Sequence, residues 1–150
     1  MFAFTEGDIR SLATSQSFAR GQSYYRSGAV SALTLRGDQL TARVAGSGYE
    51  PYRVNVALDQ DGRIASASCT CPYDWGGYCK HIVALLLTHV RAPEKILTKA
   101  AVKAALADRK RDDLIMLITQ MIDYEPDLYG LIDGSGLPAP DEFDAADEEW

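Results

Sequence analysis

Three cysteines and one of the chain's two histidines fall within Cys69-Thr-Cys71-Pro-Tyr-Asp-Trp-Gly-Gly-Tyr-Cys79-Lys-His81. Sulfur and imidazole donors in this mixture suit a borderline-soft cation. Four of them close a tetrahedral Zn²⁺ site and leave no coordination position for a substrate. The spacing carries the same chemistry. Cys69 and Cys71 are two apart, so on extended backbone both thiolates point to one face. Pro72 stops a strand from continuing its ladder, and Gly76-Gly77 permits a sharp reversal. Cys79 and His81 return as the second pair. Two successive helical steps turn side chains apart, which places Cys79 at or just before a helix cap and His81 in the first turn. Three thiolates with Zn²⁺ sum to −1, and Lys80 between two ligands offsets that charge locally.

Two other chemistries fit the same residues less well. One alternative takes the cysteines as small buried apolar groups, but C-x-C followed by C-x-H inside one loop is an improbable coincidence. A Cys79–His81 nucleophile and base would face each other poorly, with no evident oxyanion donor. His89 is about 12 Å further along the same helix at ~1.5 Å per residue. It cannot share the ion and reads as an ordinary helix-surface histidine. The chain shows no Ser/His/Asp order and no paired carboxylates in a plausible cleft, and its metal site has no open position, so no catalytic residue is expected.

The elements that must position these donors read as α+β. Thr5-Glu-Gly-Asp8 is a helix start, with Ile9, Leu12 and Ala13 as its apolar face. A second helix covers Gln16 to Ser27, with Phe18, Tyr24 and Tyr25 inward and Gly28 as its stop. From Val30 the period becomes two: Leu33 and Leu35, then Leu40, Ala42 and Val44, then Val54, Val56 and Leu58. Turn signals at Arg36-Gly-Asp38, Gly46-Ser-Gly48 and Asp59 to Gly62 divide these runs. Ile64 to Cys69 is a fourth strand, so an antiparallel meander delivers Cys69 at its end. A helix of about ten residues follows the metal loop. Pro93 opens another to about Ala107, Asp108 begins a third through Met121, and a short one lies at Asp127 to Ile132. The expected division is 1–91 for the N-terminal helices and finger, 92–133 for a helical extension packed on it, and 134–150 for an acidic tail.

Composition bounds the class. With 150 residues, 47% of them hydrophobic, the chain can bury one proper core. No signal peptide is evident, and Ile82 to Leu87 is far too short to cross a bilayer. An odd cysteine count favours metal over disulfides in a reducing compartment, and the expected location is cytoplasmic. The net charge of −6 conceals an asymmetry: residues 1–111 hold 15 Lys/Arg against 9 Asp/Glu, whereas residues 112–150 hold 12 acids and no base. The acidic end is either a solubilising tail or an anionic segment competing for the basic part.

Cys69-x-Cys71, seven residues, Cys79-x-His81, with the continuation Cys-Lys-His-Ile-Val-Ala-Leu, resembles the SWIM zinc finger. Phe18-Ala-Arg-Gly21, Tyr24-Tyr25 and Ser27-Gly-Ala-Val30 also resemble the segment preceding this finger in bacterial SWIM proteins. The likeness covers about residues 5 to 90. It implies a ββα-like finger docked on a small sheet and a Zn²⁺ cofactor. It also implies a role in DNA binding or protein–protein contact, alone or beside a Snf-type helicase-like ATPase or a MuDR-type transposase. No G-x-x-x-x-G-K-[ST] occurs in this chain, so any ATPase would be a separate polypeptide.

Two ligand surfaces follow. Arg36, Arg43 and Arg53 alternate with apolar residues, and in register they share the outward sheet face. With Arg63, Lys80 and Trp75, and Tyr49 and Tyr52 nearby, they offer phosphate contacts and stacking platforms for DNA or RNA. Alternatively the arginines solubilise that face and Trp75 packs under the knuckle. The second surface is the apolar stripe of Leu97, Val102, Leu106, Leu114, Leu117, Ile118, Met121 and Ile122, which either docks a protein partner or caps the sheet. Neither a membrane nor a small-molecule substrate is expected.

Overall fold

The computed structural model describes residues 3–132. The expected acidic tail, 134–150, lies outside them. Two short helices open the chain. Helix α1 (Glu6–Leu12) starts on a reciprocal cap in which the Asp8 amide donates to Thr5 Oγ1 and the Thr5 amide donates to Asp8 Oδ2. Helix α2 (Ser15–Arg26) is capped by Thr14, whose hydroxyl accepts from the Ser17 amide. Its end is a Schellman motif: Ala29 N–H donates to Tyr24 O, Gly28 N–H donates to Tyr25 O, and Gly28 adopts φ +74°.

Strands β1 (Val30–Arg36), β2 (Gln39–Val44), β3 (Tyr52–Leu58) and β4 (Ile64–Cys69) form one antiparallel sheet in chain order. The alternation read from the sequence sets the inner face: Leu33, Leu40, Ala42, Val44, Val54 and Val56 are all buried. A bulge interrupts β1 between Ser31 and Thr34, where Ala32 takes φ +52°. Helix α3 (Lys80–Arg91) lies on the inner face, and every residue from His81 to His89 is buried. Its tight crossing with α2 is set by Gly21, where a Cβ would lie 2.3 Å from Val83 Cγ1.

Three expectations need correction. Pro93 opens only a 3₁₀ turn, Pro93–Lys95. The chain then extends, with Leu35 N–H donating to Leu97 O and Leu97 N–H donating to Leu33 O. Those backbone bonds to β1 compete with helix continuation. Asp108 lies in a turn, and the next helix starts at Arg111. His89 is not on the surface: it is buried and stacked on Phe4 at 5.0 Å between ring centres. Phe4, in the segment just ahead of α1, covers this side of α3, and burial depresses the His89 pKa.

The chain divides into two compact units between Thr98 and Lys99. The second unit contains α4 (Lys99–Ala107), α5 (Arg111–Tyr124), a 3₁₀ turn at Pro126–Leu128 and α6 (Tyr129–Ile132). No residue of these three helices is buried. Among the described residues no helix is long and apolar enough to cross a membrane.

Candidate metal centre

Cys69 is the last residue of β4, and two hydrogen bonds hold the backbone just beyond it. Thr70 N–H donates to Arg53 O at 3.1 Å, and Arg53 N–H donates to Thr70 Oγ1 at 3.0 Å. The chain passes Cys71 and turns through a knuckle whose Gly76 and Gly77 have φ +94° and +68°. A Cβ on Gly77 would stand 2.9 Å from Leu12 O, the carbonyl that accepts the Tyr78 N–H at the end of α1. Close approach and positive φ together demand glycine there. Tyr73 ties the knuckle to α2, its hydroxyl donating to Gly76 O and accepting from Ser17 Oγ. Cys79 is then the N-cap of α3 and His81 lies in its first turn, as the spacing requires.

The Cys69, Cys71 and Cys79 sulfurs and a His81 ring nitrogen all lie within 4.8 Å of one another. His81 Nδ1 is 3.7 Å from Cys69 Sγ and 3.8 Å from Cys79 Sγ. A tetrahedron with Zn–S of ~2.3 Å and Zn–N of ~2.0 Å has an S···N edge of about 3.5 Å. The donors are therefore already spaced for a zinc ion. Electrostatics agree, because three crowded sulfurs cannot all be thiolate without a cation among them. Cys79 is held low, chiefly by the hydrogen bond from Cys69 and also by His81 and the Ile82 amide. Cys69 is driven up, first because it is the donor to Cys79, and burial raises Cys71. A divalent ion supplies the charge that lets all three ionise.

His81 is fixed mainly by rings. Tyr52 packs on it at 4.4 Å between centres, and Tyr24 meets it edge-on at 5.3 Å. Its Nε2 is buried with no hydrogen-bond partner among the described residues. Nδ1 is thus the nitrogen that faces the sulfurs. Orientation by stacking replaces the hydrogen-bonded acceptor that usually backs a metal-binding imidazole. Tyr52 was readable only as a stacking platform, yet its place two residues before Val54 puts it on the inner face. Gly46 leaves room for it, since a Cβ there would lie 2.3 Å from Tyr52 Cε2.

The six cations and aromatics expected to meet nucleic acid do not form one surface. Arg43 and Arg53 are direct cross-strand partners on the outward sheet face, while Arg36 pairs with Gln39 at the far end of that face. Lys80 and Trp75 border a cavity beside the metal centre. Arg63 lies instead against α1, near Asp8 and Ser11. Trp75 is 84% exposed and does not pack under the knuckle.

Residues 52–89 match the family model described as SWIM zinc finger. The chain is 34% identical over 131 residues to a zinc finger SWIM domain-containing protein 8 homolog of Drosophila melanogaster, covering 83% of this chain and 6% of that protein. Zinc finger SWIM domain-containing protein 8 of Homo sapiens is 30% identical over 134 residues, covering 83% of this chain and 7% of that protein. The protein of the same name from Bos taurus gives 30% over 134 residues, and 83% and 9%. The chain therefore spans less than a tenth of these relatives. They are animal proteins, and nothing in them supports the narrower likeness to bacterial members. No solved structure matches. The family pattern and the Cys₃His cluster together indicate zinc binding.

Proposed function

Because the chain carries a SWIM zinc finger over residues 52–89, we propose that it is a non-catalytic nucleic-acid-binding module. In this reading Cys69, Cys71, Cys79 and His81 hold one structural zinc ion. The zinc fixes the end of β4 to the start of α3 and has no position open for substrate. The observation that carries the reading is the Arg43–Arg53 pair. Like charges directly across a sheet repel, and neither guanidinium has an ion-pair partner among the described residues. No Asp or Glu occurs in any of the four strands. Ser31, Thr34, Thr41, Asn55, Ser66 and Ser68 complete the outward face by register. One acid, Glu50 in the loop before β3, borders a pocket together with both arginines. A cationic, hydroxyl-lined face whose strands hold no acid suits a phosphate backbone, and such a module would serve a separate DNA-processing ATPase.

Titration of labelled single- and double-stranded DNA at two salt concentrations tests this. Affinity should fall steeply with salt, and Arg43→Gln should reduce the magnitude of the log–log slope by about 0.9 on duplex or about 0.7 on single strands. An unchanged slope would remove the sheet face from the interaction.

A second reading has its own observation. Helix α5 buries nothing and leaves Ile115, Met116, Ile118 and Met121 exposed, as a protein-docking helix would. Docking through it should be nearly insensitive to salt and abolished by Ile118→Asp.

A further inference from the structure

A cavity of about 270 Å³ opens beside the metal centre, between the first half of α2, the first turn of α3, the knuckle and the β2–β3 loop. Arg20, Lys80, Trp75, Tyr52 and Ser47 border it, Cys71 and Cys79 form its inner wall, and no carboxylate lines it. With zinc bound the cluster contributes −1, so Arg20 and Lys80 leave the cavity at +1. Arg20 has neither an ion pair nor a hydrogen-bonded acceptor for its side chain among the described residues. Lys80 Nζ rests 5.0 Å above the Tyr24 ring.

The aromatic residues around the cavity differ in what they have left to give. Tyr52 is committed to His81, and the Tyr73 hydroxyl is committed to both Ser17 and Gly76. Trp75 stacks on nothing among the described residues, although it is 84% exposed. Tryptophan is highly buried on average, so an indole offered this fully beside two cations is a platform for a flat, anionic partner.

We infer that this cavity receives one unpaired nucleotide of a single strand, its base stacked on Trp75 and its phosphate met by Arg20 and Lys80. The volume lies just below the usual range for drug-sized ligands, which suits one nucleotide better than a length of peptide. Asp74 precedes Trp75 in the knuckle but does not line the cavity. The site lies at the same end of the sheet as the Arg43–Arg53 pair, because Arg53 is hydrogen-bonded through Thr70 to the backbone between Cys69 and Cys71. The inference deepens the nucleic-acid reading: the sheet face holds phosphates without regard to bases, and the cavity adds a preference for unpaired ones.

The experiment uses the full zinc-loaded chain with Trp150→Phe, which leaves Trp75 as the only tryptophan. An oligothymidylate and an abasic oligomer with the same number of phosphates are titrated at low salt, with indole fluorescence and anisotropy recorded. The base-bearing strand should quench Trp75 and bind at least about fivefold tighter than the abasic one. Trp75→Ala should abolish that difference, and Arg20→Gln should weaken the base-bearing strand. Both side chains project from the surface, so unchanged zinc content will show that the variants fold. Equal binding of the two oligomers without quenching overturns the cavity assignment, while a slope reduced by Arg43→Gln would still uphold the sheet face. If neither oligomer binds, the sheet-face reading fails, and thymidine monophosphate decides the cavity alone: quenching that is lost in Arg20→Gln supports it, and no quenching ends it.

Discussion

Gly21→Ala tests the helix crossing that delivers the last two zinc donors, and its two energetic terms have opposite signs. Gly21 is in the interior of α2, where alanine gains about 1 kcal/mol of helix propensity over glycine. The new Cβ would stand 2.3 Å from Val83 Cγ1, 2.6 Å from Val83 Cβ and 3.1 Å from Lys80 O. Val83 is fully buried and β-branched, so it has no easy rotamer to retreat into. Ordinary contact begins at 3.4 Å, so the helices must part by roughly 1 Å. Overpacking of this kind costs about 1–3 kcal/mol, and a clash at both Cγ1 and Cβ belongs at the upper end. The net expectation is a loss of about 2 kcal/mol, seen as a lower urea midpoint with unchanged m-value and a Tm lower by roughly 4–8 °C. Val83→Ala on the same background removes the nearest atom and should make the pair less costly than the sum of the singles. A Gly21→Ala protein as stable as the parent, or more so, would refute the crossing, because propensity alone would then have decided the outcome.

Other outcomes follow from the same geometry. One Zn²⁺ per chain should be found, and Co²⁺ in its place should show the intense visible bands of a tetrahedral thiolate site; Cys71→Ser should weaken metal binding, and a weak octahedral spectrum would contradict the donor set. Chelation should lower Tm and alter the circular dichroism, since ligand assembly and folding share free energy. Ala32→Gly should stabilise the protein by about 0.5–1 kcal/mol, since relief of the left-handed strain exceeds the added freedom of the unfolded chain; a loss of stability would show that Ala32 is unstrained. His89 titrates lower when folded because burial disfavours its charged form. Its contribution is complete above the ordinary histidine range and is lost as pH falls through that range. Urea midpoints at about pH 7.5 and about pH 5.5 should therefore fall further for the wild type than for His89→Gln, and equal falls would count against this assignment.

Much of this fold is written locally. Thr5 with Asp8, Gly28 after α2 and the period-two runs each act over a few residues, so the helices and the four-stranded meander are legible from the sequence. The metal donors are legible for a related reason: two-residue spacing constrains a strand end and a helix start without further context. Long-range choices were not legible. Pro93 is a good helix opener, but β1 draws the following backbone into hydrogen bonds with Leu97. His89 falls on a side of α3 against which Phe4, far away in sequence, stacks. The six expected nucleic-acid residues separated for the same reason. Alternation predicts which face a strand residue takes, as it does for Arg43 and Arg53, but it says nothing about where Arg63 or Trp75 stands relative to that face.

Ile82 to Leu87 are all buried, so α3 has no wet side. Part of its cover comes from Phe18, Gly21, Leu33 and Leu40, none of which belongs to the 52–89 stretch carrying the family signature. The knuckle likewise leans on the Leu12 carbonyl. A peptide cut to the signature would keep all four donors and lose the walls that hold them at tetrahedral spacing. What is recognisable in this protein is therefore smaller than what folds. The metal staples a structure whose architecture depends on residues from α1, α2 and the first two strands.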